Sequence, residues 1–122
     1  MMETQEVKAM GMFQTKVTVS NMNDPGLSFR EDFWVDTGAL YSFIPEDYLT
    51  KIAVEATARR NLILADGRHD ARMLGFCAFE IEGQEGRIPC PVIFAPTGSL
   101  LLLGATALEN FGVAVDPIEK RL

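Results

Sequence analysis

Asp36 has the most suggestive setting of any chemically capable side chain in this 122-residue sequence. An apolar run, Phe33-Trp34-Val35, leads into Asp36-Thr37-Gly38, then Ala39 and a second apolar stretch from Tyr41 to Ile44. A carboxylate thus sits on a glycine turn where a buried strand ends. Charge is costly there, and carboxylates in such places are candidates for acid–base work. The competing reading is an Asp that merely caps a turn. Other reactive side chains are less well set. His69 is the only histidine, with Asp66 and Asp70 nearby. Two acids and one His in a turn, with no further ligand spacing, read as a solvated loop, so no metal and no cofactor is expected. A Ser/His/Asp or Cys/His centre would need His69 to meet Ser42, Cys77 or Cys90, and no nucleophile motif surrounds any of them. Cys77, in the run Phe76-Cys77-Ala78-Phe79, and Cys90, between Pro89 and Pro91, match no metal pattern. They read as buried or half-buried free thiols of a reducing compartment.

The elements that must position Asp36 follow from periodicity and turn chemistry. Phe13, Thr15, Val17 and Val19 alternate with polar residues, the period of a half-buried strand. Asn23-Asp24-Pro25-Gly26 is a turn, because Pro fixes φ and Gly accepts positive φ. A second strand, about Ser28 to Val35, then returns as a hairpin and delivers Asp36. Ser42-Phe43-Ile44 is a short strand. Pro45-Glu46-Asp47 opens a helix through Ile52, with acids at its positive end. Leu62-Ile63-Leu64 and the residues from Met73 flank an Asp66-Gly67 turn. The run Arg72 to Glu82 alternates, placing Leu74, Phe76, Ala78 and Glu80 on one face. Arg87 to Ala95 is a further strand, at an edge or bulge because of Pro89 and Pro91. Leu100 to Leu103 leads through Gly104 into a helix from Ala105 to Phe111, with Gly112 at its C′ position. Val113 to Asp116 is a last strand ended by Pro117. Many short strands and two short helices predict a mainly-β, barrel-like domain spanning 1–122, with residues 1–10 disordered or at an interface.

Trp34-Val35-Asp36-Thr37-Gly38-Ala39 with its apolar flanks resembles the catalytic loop of aspartic proteases. Leu100 to Gly104 and the helix after it resemble the hydrophobic-hydrophobic-Gly segment that runs beneath that loop. The Asp66-Gly67 hairpin lies between them, where the family carries its flap. This order resembles the retroviral-type, retropepsin-like single-lobe family over about the whole chain; bilobal relatives carry two such loops, and this sequence has one. The resemblance implies a closed-barrel-like acid protease lobe. It implies Asp36 as catalytic carboxylate, with loop support from Thr37, Gly38 and Ala39. Thr37 would bond across a dimer axis and Gly38 would approach the substrate. Ala65, Asp66, Gly67 and Arg68 would form the substrate-binding flap, although an ordinary Asp-Gly hairpin explains them equally locally. Leu102, Leu103 and Gly104 would be structural beneath the loop. The implied activity is an aspartic endopeptidase, a homodimer with one Asp36 per chain and a peptide or protein substrate. The alternatives are a catalytically idle domain of the same fold that dimerises or binds peptides, and an unrelated small ligand-binding β-barrel.

Composition narrows the partners. Net charge is −6 with no Lys/Arg cluster, which argues against nucleic acid. No stretch approaches the roughly 18 apolar residues of a membrane span. The first residues, Met-Met-Glu-Thr-Gln-Glu, lack a basic segment followed by an apolar core, so a signal peptide is not expected and a cytoplasmic location is.

Overall fold

The computed structural model describes residues 13–63 and 66–122. Its strands are β1 (Gln14–Ser20), β2 (Ser28–Val35), β3 (Ser42–Pro45), β4 (Ala56–Ile63), β5 (His69–Ile81), β6 (Ile88–Ala95) and β7 (Leu102–Leu103). The helices are α1 (Glu46–Lys51), after β3, and α2 (Ala105–Phe111), after β7. The strand order is β1-β2-β7-β3-β6-β5-β4, and an added β1–β5 pairing links the two ends of the first six. Those six strands form a ring, and β4 hangs outside it on β5. The mainly-β, two-helix expectation holds, with a ring of strands in place of a regular barrel.

The expected β1–β2 hairpin forms, with Val17 opposite Glu31 and Gln14 opposite Trp34. Its turn is held by Asp24, whose Oδ1 accepts the Gly26 N–H at 3.0 Å. Val17, Val19, Phe33, Val35, Ile44, Cys77, Phe79, Ile81, Val92 and Leu103 fill the ring, and all are buried. Each fully buried side chain of this size contributes about 1.5–3 kcal/mol, so the ring interior is the main source of stability. Leu49 of α1 and Ala107 and Leu108 of α2 join the same core. Gly112 caps α2 in the left-handed region, φ 68° and ψ 31°, as its position after the helix predicts.

Several sequence expectations change. The Leu62-to-Leu64 strand begins earlier, at Ala56, because Ala56 to Asn61 pair with the long β5; Leu64 itself lies outside the described residues. Pro45 stands one position earlier than a first helical residue, at the N-cap of α1. On β5, Leu74, Phe76, Ala78 and Glu80 share a face on which Leu74 and Ala78 are buried and Phe76 and Glu80 exposed, while Cys77, Phe79 and Ile81 on the other face fill the ring. β6 is interior, between β3 and β5, and not an edge. Its prolines fit because β3 reaches only Val92 to Ala95, so the Pro89 and Pro91 stretch is paired with β5 alone. The outward carbonyl of Pro89 accepts the Asn110 amide of α2 at 3.0 Å. Val113 to Asp116 make no strand among the described residues. Val113 and Val115 pack on the core, and only Asp116 bridges, to Arg121. The two cysteines are free and buried, directly opposite each other on β5 and β6.

Candidate active site

The position of Asp36 is dictated by β7, which inserts between the two strands that flank its loop. β7 runs parallel to β2, Trp34 opposite Leu102 and Val35 opposite Leu103, and antiparallel to β3, Phe43 opposite Leu102. Two backbone bonds continue the parallel pairing, from Trp34 N–H to Leu101 O and from Asp36 N–H to Leu103 O, both 2.9 Å. The catalytic-loop candidate is therefore pinned at its first residue by the strand predicted to lie beneath it.

Beyond that residue the loop folds on itself. Gly38 N–H donates to Asp36 Oδ1 at 3.0 Å, and Ala39 N–H to Asp36 O at 3.1 Å. The second carboxylate oxygen, Oδ2, has no protein donor among the described residues, and Asp36 is half-buried. Thr37 and Gly38 are exposed and Ala39 is half-buried, so the loop tip forms part of the surface. The far side of the loop is tied to α2. Ala105 N–H donates to Ala39 O at 2.8 Å and Thr106 N–H to Leu40 O at 2.9 Å. These are orphan donors of the first helical turn, satisfied by the loop itself.

Gly104 is where this arrangement leaves no room. A Cβ there would lie 2.9 Å from Ala39 O and 2.5 Å from the carbonyl carbon of Tyr41. Its φ is −93°, so the need for glycine is close approach and not backbone conformation. Its N–H donates to the Ser42 hydroxyl at 3.0 Å, and Ser42 is fully buried. Ser42 is the supporting residue that sequence reasoning passed over. The signal was present: one hydroxyl between Tyr41 and Phe43 at the start of a buried strand. Leu40 is a second omission, an apolar side chain 62% exposed directly after the loop.

The flap candidate stands at the end of the β4–β5 hairpin; Ala65 lies outside the described residues. Gly67 has φ +86°, the left-handed value the turn reading requires. Asp66 accepts the Arg68 N–H at 3.0 Å and the Arg68 Nε at 2.6 Å. Those bonds, the backbone one foremost, hold its carboxyl below the usual range. The structure thus joins Asp36 to Ala39 with Leu102 to Gly104 in one hydrogen-bonded unit, and puts Asp66 to Arg68 apart on a projecting hairpin. His69 is exposed, and no group of metal-binding side chains occurs among the described residues. The cysteines are chemically quiet: burial pushes the Cys90 thiol up to about 11, and burial followed by its neighbour Cys90 pushes Cys77 higher still.

A strand-pinned Asp-Thr-Gly loop, a glycine strand threaded beneath it and a projecting hairpin together define an acid-protease-like lobe. A solved structure titled "EIAV protease complexed with the inhibitor HBY-793" is similar, with a TM-score of 0.57 over 86% of this chain and 92% of that one, at 16% identity. That likeness is one of fold. No protein-family model and no curated protein matches the sequence.

Proposed function

We propose that the protein is an aspartic endopeptidase, active as a homodimer to which each chain brings one Asp36. The observation that carries this reading is the anchoring of Asp36 by Leu103 O on a loop tied to the Gly104 segment, with its Oδ2 receiving no protein donor among the described residues. The exposed Thr37 and Gly38 support the dimer, since a twofold axis at the loop tip would bring two such loops together.

Hydrolysis by this route needs two carboxylates about 3 Å apart that share one proton, because like charges at that separation resist full ionisation. One carboxylate takes a proton from a water lying between the pair. That water attacks the scissile carbonyl, whose oxygen accepts a proton or hydrogen bond from the other carboxyl group. The tetrahedral intermediate then collapses as the amine leaves with a proton. The pair titrates as a unit, so neither role belongs to one chain. The β4–β5 hairpin would fold over an extended peptide and exclude bulk water.

Digestion of a peptide library by the wild type beside Asp36→Asn tests the proposal. The amide keeps the shape and the bond from Gly38 N–H, but it carries no exchangeable acid proton. Cleavage by the wild type and its loss in the variant are expected; equal cleavage by both would remove Asp36 from the mechanism. An idle domain of the same fold would cleave nothing and still sediment as a dimer.

A further inference from the structure

Cys77 and Cys90 are the only cysteines of the chain, and the mechanism above uses neither. Both are free, fully buried and directly opposite each other on β5 and β6. Opposite residues of antiparallel strands point to the same face, so the two thiols are neighbours. The prolines beside them decide which kind of pair this is. Pro89 and Pro91 have no N–H to give the ladder, and the Pro89 carbonyl accepts the Asn110 amide. Both prolines therefore suit the non-hydrogen-bonded positions toward β5, and Cys90, between them, falls at a hydrogen-bonded one. Such pairs hold their Cα atoms about 5.5 Å apart, inside the roughly 4.4–6.8 Å that disulfides span. Facing Cβ atoms lie about 4.5–5.5 Å apart, wider than the usual ~3.8 Å of a disulfide. A bond closed here would draw the strands together and be strained, and strained disulfides are the readily reduced ones.

Access to the thiols depends on the stage of folding. The β5–β6 hairpin is local: a single turn joins its strands, with Gln84 N–H donating to Ile81 O at 2.9 Å. Hairpins close within about 1–10 μs. The core that buries the cysteines comes from remote parts of the chain, Val17 and Val19 of β1 and Ala107 and Leu108 of α2. A newly closed hairpin can thus hold the two thiols together while solvent still reaches them. Once β1 and α2 are in place, burial holds both thiols protonated and out of reach.

We propose that Cys77 and Cys90 are a redox-sensitive pair set during folding: beside a small-molecule disulfide the chain closes and buries a Cys77–Cys90 cross-link, and in a reducing medium it buries two thiols. The exchange is balanced. One cysteine thiolate attacks the small disulfide, whose S–S bond breaks and releases one small thiol. The other cysteine thiolate attacks the resulting mixed disulfide, forming the cross-strand bond and releasing the second small thiol. The protein loses two hydrogens and the small disulfide gains them. The bond would lie two residues beyond Gly75, the last β5 residue paired with β4, and so would fasten the base of the projecting β4–β5 hairpin to β6.

Refolding under two redox conditions tests this. Protein unfolded and reduced in urea is diluted into oxidised or into reduced glutathione, then unfolded again, alkylated and weighed by mass spectrometry. Oxidising refolding should give single chains lighter by two hydrogens, with no thiol left to alkylate. Reducing refolding should give two alkylated cysteines. Folded, reduced protein moved into oxidised glutathione should keep both thiols, and the cross-linked chain, once unfolded, should reopen in reduced glutathione. Cys77→Ala should yield no such cross-link. Protein expressed in an oxidising and in a reducing bacterial cytosol gives the same readout without refolding. Two free thiols, glutathione adducts or chain-to-chain disulfides after oxidising refolding would overturn the proposal. Closure as fast in the folded protein as during folding would overturn it too. None of these readouts involves peptide cleavage, so the pair and the protease reading stand or fall separately.

Discussion

Gly104→Ala is the substitution whose cost the structure determines most sharply. The added methyl would sit 2.9 Å from Ala39 O and 2.5 Å from the Tyr41 carbonyl carbon, closer still to the Tyr41 oxygen. All three are backbone atoms, and none can swing aside as a side-chain tip can. Both loop residues are also fixed from elsewhere: Ala39 O accepts from Ala105 N–H, and Ser42, next to Tyr41, accepts from Gly104 N–H. The backbone at φ −93° itself accepts alanine freely, so the penalty is steric alone. Overpacking a rigid site costs about 1–3 kcal/mol, and backbone on both sides places this case at or above the upper value. For a domain of this size, about 3 kcal/mol is a large part of a total stability of roughly 5–15 kcal/mol, and corresponds to a fall of about 10–15 °C in Tm. Thermal unfolding followed by far-UV circular dichroism measures it. Relief would come from displacing the loop that carries Asp36, so peptide cleavage should fall further than the folded fraction does. A Tm within about 3 °C of wild type would refute the claim that Gly104 is required by close approach to that loop.

Other expectations follow from the same contacts. Ser42→Ala leaves the Gly104 N–H buried without its acceptor and should cost about 1–3 kcal/mol in denaturant unfolding, with Ser42→Thr or Ser42→Cys failing through volume at a fully buried site. Gly67→Val meets no atom within 4 Å but must hold φ near +86°, so it should cost about 1–3 kcal/mol locally and slow turnover more than it lowers Tm; an unchanged kcat/KM would detach the hairpin tip from function. Both thiols are raised, so the folded state favours neutral sulfur. Stability from this source is complete below the ordinary thiol value of 9.0 and declines as pH rises through about 11 for Cys90, with Cys77 following at higher pH. Cys77→Ala with Cys90→Ala should flatten that alkaline decline, and wild-type thiols should react with disulfide reagents only on unfolding.

Much of this architecture was legible because local chemistry and tertiary need agreed. The alternation from Phe13 to Val19, the Asp24-Pro25-Gly26 turn and Gly112 at a helix end each act within a few residues, and each appears where expected. The Leu102-Leu103-Gly104 segment was legible through its resemblance, and its partner proved to be the Asp36 loop. The failures share a cause. Ala56 to Asn61 carry a weak strand pattern, and they extend because the long β5 offers a ladder. The inward face of β5 is chosen by β1 and β6, which no window of β5 can reveal. Pro89 and Pro91 suggested an edge, yet the strand is interior and merely unpaired on one side over that stretch. Ser42 escaped notice because its role, an acceptor for Gly104 N–H, is set by a residue far away in sequence.

If two chains build one site, a mixing titration of wild-type and Asp36→Asn protein reveals it. Wild-type protein is dissociated, combined with increasing shares of Asp36→Asn, reassembled at fixed total concentration and assayed on a cleaved peptide. If both carboxylates are needed, only dimers of two wild-type chains are active, and activity follows the square of the wild-type fraction, about a quarter of the full value in an equal mixture. Activity that falls in simple proportion, about a half in that mixture, would mean that each chain works with its own Asp36 alone and would contradict the account.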